Sequence, residues 1–140
     1  MRLALLALWL AVVVICIAWL SSVLLPHETL VDPDYMWQPL EIADSAKVAL
    51  GLATTAVAIA ICVLLYRLLE LGRLSRNWLV VFGAGGAIAA YCGLVYGVAT
   101  SPVIGANIGA GIMLLFAGPF AVVIVIVALV IARTGRRTSA

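Results

Sequence analysis

Few side chains in this sequence can do chemistry, and their positions decide which chemistry is open. The sole histidine, His27, stands beside Glu28 and a short step before Asp32 and Asp34. An imidazole among carboxylates suggests a cation site. A calcium loop, however, takes about six to eight oxygens and a turn glycine, which this proline-bearing segment does not supply, so no metal site is expected. One histidine cannot furnish paired haem ligands. Cys16, Cys62 and Cys92 are far apart and form no C-x-x-C pair, so a dithiol redox centre is excluded. Three thiols cannot complete a disulfide framework, and apolar surroundings make them small hydrophobes.

The remaining polar candidates are Ser21, Ser22, Thr54, Thr55, Tyr91, Tyr96 and Asn107. All lie within or beside long apolar runs, where hydroxyls bond across helices or back to their own carbonyls. A lipid-modifying enzyme built on Ser21 or Ser22 would need a base to activate it, and none stands in those runs. No catalytic residue and no cofactor is therefore assigned.

The elements that carry these residues follow from the composition. The chain has 140 residues, of which 66% are hydrophobic and 10% charged, with a mean hydropathy of +1.28. Soluble domains carry about 25% charged residues, so a soluble globule is excluded. The formal charge of +2 is far from the basic density of a nucleic-acid binder. A bilayer crossing needs about 20 mostly apolar residues in a helix. Four uncharged stretches qualify, at about 3–25, 48–66, 78–99 and 106–132. Backbone amides in hydrocarbon must be paired locally, which makes each of them helical. The expected fold is all-α and integral to the membrane: one domain, 1–140, folded as a four-transmembrane-helix bundle.

Charge sets the orientation. Arg2, then Arg67, Arg73 and Arg76, then Arg133, Arg136 and Arg137 account for seven of the eight basic residues. Five of the six acids, Glu28, Asp32, Asp34, Glu41 and Asp44, fall between the first two spans. Basic segments are retained in the cytoplasm. Both termini and the 67–76 loop are thus expected inside a plasma (inner) membrane, with one acidic extracytoplasmic loop at about 26–46. The first span lacks an A-x-A cleavage pattern and is read as retained rather than as a signal peptide. A sevenfold excess of arginine over lysine points to a GC-rich bacterial genome.

Within the outer loop, Asp32 before Pro33 suits a helix cap, and the second helix is expected to begin as an exposed stub at Pro39. Tyr35, Met36 and Trp37 beside Asp32 and Asp34 form an aromatic cluster rimmed by charge, the pattern of a partner-docking anchor. Gly72 suits a C-terminal helix cap. Trp78 and Tyr66 suit anchoring at headgroup level.

Helices in lipid associate through small residues rather than through burial. Gly85, Ala89, Gly93 and Gly97 recur every fourth residue and make a stripe about 18 Å long. Gly105 and Gly109 share the spacing at the start of the fourth span. A short connection makes the third and fourth spans antiparallel neighbours, and the two stripes are expected to meet. Gly118 and Pro119 predict a kink or hinge near 115–119, because proline removes an amide donor and crowds the preceding turn.

Well-formed packing stripes without an ion-handling group in any span point to a non-catalytic accessory subunit of a larger membrane complex. Other membrane subunits and membrane lipids are the expected partners, with no nucleic acid. An aliphatic bundle bordering an acyl-chain path favours a lipid or hydrophobic-substrate transporter as parent. The alternatives are a homo-oligomeric transporter or channel for a neutral or lipophilic solute, and an accessory subunit of a respiratory complex.

Overall fold

The computed structural model describes residues 2–24, 36–101 and 106–134. These residues form helices and connections, with no strand among them. Helix α1 spans Arg2–Leu24, α2 Asp44–Glu70 and α3 Arg76–Ala99. A fourth helical path is interrupted: α4, Ala106–Ile112, passes through a π turn, Met113–Ala117, into α5, Gly118–Thr134. Three helices are long and apolar enough to cross a membrane, namely Arg2–Leu24, Asp44–Glu70 and Asn77–Ala99, and Ala121–Ile131 is a shorter apolar stretch.

The helix ends have local causes. Leu40 accepts a hydrogen bond from the Ile42 amide at 2.9 Å, and this tight turn takes the chain out of helical geometry after Pro39. The helix begins instead where Ala43, extended at ψ 139°, accepts from the Lys47 amide at 3.0 Å. The expected stub from Pro39 is therefore absent, and α2 starts at Asp44. That acid favours the positive end of the helix and pairs with Lys47 at 3.1 Å. At the far end Gly72 has φ +66°, a left-handed conformation that costs a residue with a Cβ about 1–2 kcal/mol. Its amide donates to Leu69 O at 3.0 Å, and the Arg73 amide donates to Leu68 O at 2.9 Å. Together these make a Schellman motif at the glycine cap expected there, and the turn returns Leu74 to the buried core that Leu68 borders.

Among the described residues the helices pack in a row. α1 lies between α2 and α3, and α3 lies between α1 and the α4–α5 path. α1 and α3 run the same way, with Trp9 beside Gly86 and Ser21 beside Gly97. The buried core gathers toward one end, where Val12, Ile61, Leu65, Leu74, Trp78, Val81, Phe82 and Ala128 pack together. Trp78 belongs to this core. It tilts against Phe82 and carries the Arg2 guanidinium over its ring at 5.9 Å, whereas Tyr66 remains exposed. Arg2 also donates to Arg73 O at 3.0 Å, so the start of α1 and the α2–α3 turn share one end of the molecule.

The glycine stripe of α3 faces α1, not the fourth helix. A Cβ on Gly93 would stand 2.6 Å from Val14 O and 3.0 Å from the Ala18 nitrogen, and one on Gly97 would overlap the Ser21 side chain. A Cβ on Gly85 would stand 3.0 Å from a Leu10 methyl, and Ala89 is buried. The expected meeting of two stripes is corrected accordingly. Gly109 does approach α3, but through Val98, at the ordinary distance of 3.5 Å; Gly105 lies outside the described residues. The short connection makes the third and fourth helices neighbours. It does not decide which face of α3 each neighbour takes, and the smooth side of α1 takes the glycines.

Candidate functional site

The hydroxyls of Ser21, Ser22, Thr54 and Thr55 are committed to the main chain. Ser21 donates to Ala18 O at 2.9 Å and Ser22 to Trp19 O at 2.7 Å. Thr54 donates to Leu50 O at 2.8 Å, and Thr55 to Gly51 O at 2.8 Å. Back-bonding of this kind hides a hydroxyl against its own helix. Thr55 also meets Cys16 across the α1–α2 contact at 3.3 Å, and nearby the Trp19 ring lies flat on Gly51, where a Cβ would stand 2.0 Å from it. The Trp9 indole donates to Phe82 O at 3.0 Å, reached over Gly86. Among the described residues, two buried polar atoms, Trp19 Nε1 and Ser101 Oγ, have no hydrogen-bond partner.

On its opposite side α3 meets the fourth helical path less closely, and a cavity of about 450 Å³ opens between them. α3 lines it with Ile88, Tyr91, Cys92 and Val95, which share one face at helical spacing. The other wall is Leu114, Gly118, Ala121, Val122, Val125 and Ile126. Val122 and Ile126 are also exposed, so the cavity is a groove open along the outside of the molecule.

Trp37 closes one end of the groove. The Met36 and Trp37 amides both donate to Ala99 O at 3.1 Å, which satisfies a free carbonyl at the end of α3 and fixes the indole in place. Of the five expected docking residues, Met36 and Trp37 are thus tied to their own chain while keeping part of their surface exposed. Asp32, Asp34 and Tyr35 lie outside the described residues, as do His27, Glu28 and Pro33.

The discontinuity in the fourth helix falls just before Gly118 and Pro119. Pro119 has no amide to donate to the preceding turn, and the ladder is relieved through the π turn at Met113–Ala117. The Tyr91 hydroxyl reaches across the groove and donates to Met113 O, one of the carbonyls where the turn begins. The spacing of Gly118 and Pro119 located this interruption but not its form. The rest of the groove was readable only as two apolar faces, since nothing in an Ile-Val-Ala sequence marks a gap between helices.

Comparison with known protein families, with curated proteins and with solved structures yields no match. The functional reading therefore rests on this geometry.

Proposed function

We propose that this chain is a non-catalytic accessory subunit of a larger complex in the plasma (inner) membrane, placed beside a path for lipid or another hydrophobic substrate. One observation carries the reading: Ser21, Ser22, Thr54, Thr55 and Tyr91 all spend their protons on backbone carbonyls. Hydroxyls used this way are hidden against the main chain rather than prepared for attack. The open groove supplies an apolar surface at which a hydrophobic molecule can be handed on.

The orientation proposed is both termini in the cytoplasm, with four spans in the bilayer. Arg2 and Arg73 meet at one end of the row, while Asp44 begins α2 at the other. Basic residues on one side of the bilayer are what topology requires of the cytoplasmic face.

Purification of the chain from its native membrane in mild detergent, followed by mass spectrometry, tests the proposal. The expected result is one or more stoichiometric membrane-protein companions. A chain recovered only as a free monomer overturns it. The π turn beside Gly118 and Pro119 favours a second reading, a homo-oligomeric carrier of a neutral or lipophilic solute, since interruptions of this kind mark functional sites. Solute flux through vesicles holding this chain alone would select that reading.

A further inference from the structure

We infer that the end of the molecule where Arg2 meets Arg73 binds the phosphate of an anionic glycerophospholipid, held by the guanidinium groups of those two residues. The inference rests on the membrane placement proposed above and not on the accessory role. The fold gathers charge that the sequence scatters. Arg2 donates to Arg73 O at 3.0 Å, and α3 begins at Arg76. The Asn77 side-chain amide donates to Ile131 O at 3.3 Å, two residues before Arg133. Arg67 stands in the last turn of α2. Five arginines, drawn from every helical path and the α2–α3 turn, thus share one end. Basic clusters that recognise anionic lipids carry about four to eight such residues. No single stretch of this chain reaches that number, and the folded end does.

Topology asks only that these charges stay on one side of the bilayer. It does not ask that one of them be fixed, and Arg2 is fixed. Its guanidinium lies over the Trp78 ring at 5.9 Å and spends an N–H on the Arg73 carbonyl, which leaves others of its donors for an acceptor. Arg2 and Arg73 are exposed, and neither pairs with a carboxylate among the described residues. Glu70, the one described acid at this end, is taken by Arg67 at 3.5 Å. The first turns of α1 and α3 carry no acid. A held, planar, unneutralised guanidinium is the donor that suits phosphate oxygens. The apolar neighbours select a lipid. Leu3 is 73% exposed directly after Arg2, and Leu71 is 68% exposed two residues before Arg73. A phosphate joined to hydrocarbon meets the arginines and these leucines together, which a free anion or an acidic peptide does not.

The test reconstitutes the full chain in nanodiscs of equal parts phosphatidylglycerol and phosphatidylcholine. Native mass spectrometry then counts the lipids that leave the disc with it. Phosphatidylglycerol is expected to be retained over phosphatidylcholine by about 25-fold, about fivefold from each of the two arginines. Arg73→Gln keeps the carbonyl that holds Arg2 and should lower the preference about fivefold. Arg2→Gln should lower it at least as much, whereas Lys47→Gln, at the opposite end, should leave it unchanged. Arg2→Lys keeps the charge without the planar fork and should retain only part of the preference. Equal retention of the two lipids, or equal effects of Arg73→Gln and Lys47→Gln, would overturn the inference. Full preference in Arg2→Lys would do the same, by showing a diffuse surface charge. So would inorganic phosphate that binds the chain in detergent with the same dependence on Arg2 and Arg73, since the site would then serve a free anion. Should Arg2→Gln fail to fold, Arg73→Gln decides, because that residue is exposed. A preference shown by a chain without a companion would keep this inference and remove the accessory role; a companion on a chain indifferent to lipid charge would do the reverse.

Discussion

α3 meets its two neighbours in opposite ways. Toward α1 its backbone lies so close that a Cβ on Gly93 would stand 2.6 Å from a main-chain oxygen. Toward α5 the same helix leaves room for about 450 Å³ of open groove. Both interfaces are made of apolar residues, so hydrophobicity does not distinguish them. What differs is side-chain size, glycine on one face and branched or aromatic residues on the other. In a medium as apolar as the side chains themselves, contact is decided by how near two backbones can come. The tight seam brings two backbones into contact, and the loose one leaves a groove between them.

The comparison breaks most sharply at Gly93. Gly93→Leu places bulk against Val14 O and Ala18 N, main-chain atoms that cannot rotate aside. The expected loss is about 3 kcal/mol, seen as collapse of folded yield and of the unfolding midpoint in mixed micelles. A stable Gly93→Leu protein would dissolve the distinction between the seams. A smaller effect is expected from Tyr91→Phe, which removes the hydrogen bond to Met113 O at about 1 kcal/mol or less. Its signature should be local, as faster amide exchange around 113–118 with α1 and α3 unaffected. Protection spread unchanged over that stretch would show that the hydroxyl does not hold the π turn. The smallest effect belongs to Gly109→Ala, whose new methyl would sit at 3.5 Å from Val98, an ordinary contact. A change within about 0.5 kcal/mol is expected, and a large loss would mean that the fourth helix packs as tightly as α1 does.

The three long helices were legible to within a few residues, apart from the start of α2, because the apolar runs are bounded by charges at Arg2, Glu70 and Arg76 and by prolines at Pro26 and Pro102. Gly72 was legible as a cap because only a glycine tolerates that conformation without strain. Pairing between helices was not. Gly85, Ala89, Gly93 and Gly97 announce that something approaches closely, but a stripe does not name its partner, and α1 carries no matching stripe of small residues at every fourth position. Trp78 misled for a related reason. Its place beside a basic loop suits an interfacial ring; Phe82 follows it by one turn of the same helix, but the return of Arg2 over its ring is not written in the local sequence. Pro39 suggested a helix start, but the turn closed by Leu40 and Ile42 is set by a hydrogen bond that composition does not reveal. The groove was the least legible feature, since a void is a relation between two surfaces and leaves no mark in either.

The π turn has a consequence for chain length. A turn of this type accommodates one more residue than the α-helix around it, and each residue rotates the following face by about 100°. Upstream, Ala110 is buried and Gly109 sits at Val98; downstream, Ala128 is buried and Asn77 donates to Ile131 O at 3.3 Å. Both ends of the fourth helix are moored to α3, and the surplus residue brings the two moorings into phase. A chain shortened by one residue within 113–117 can keep either mooring, but not both.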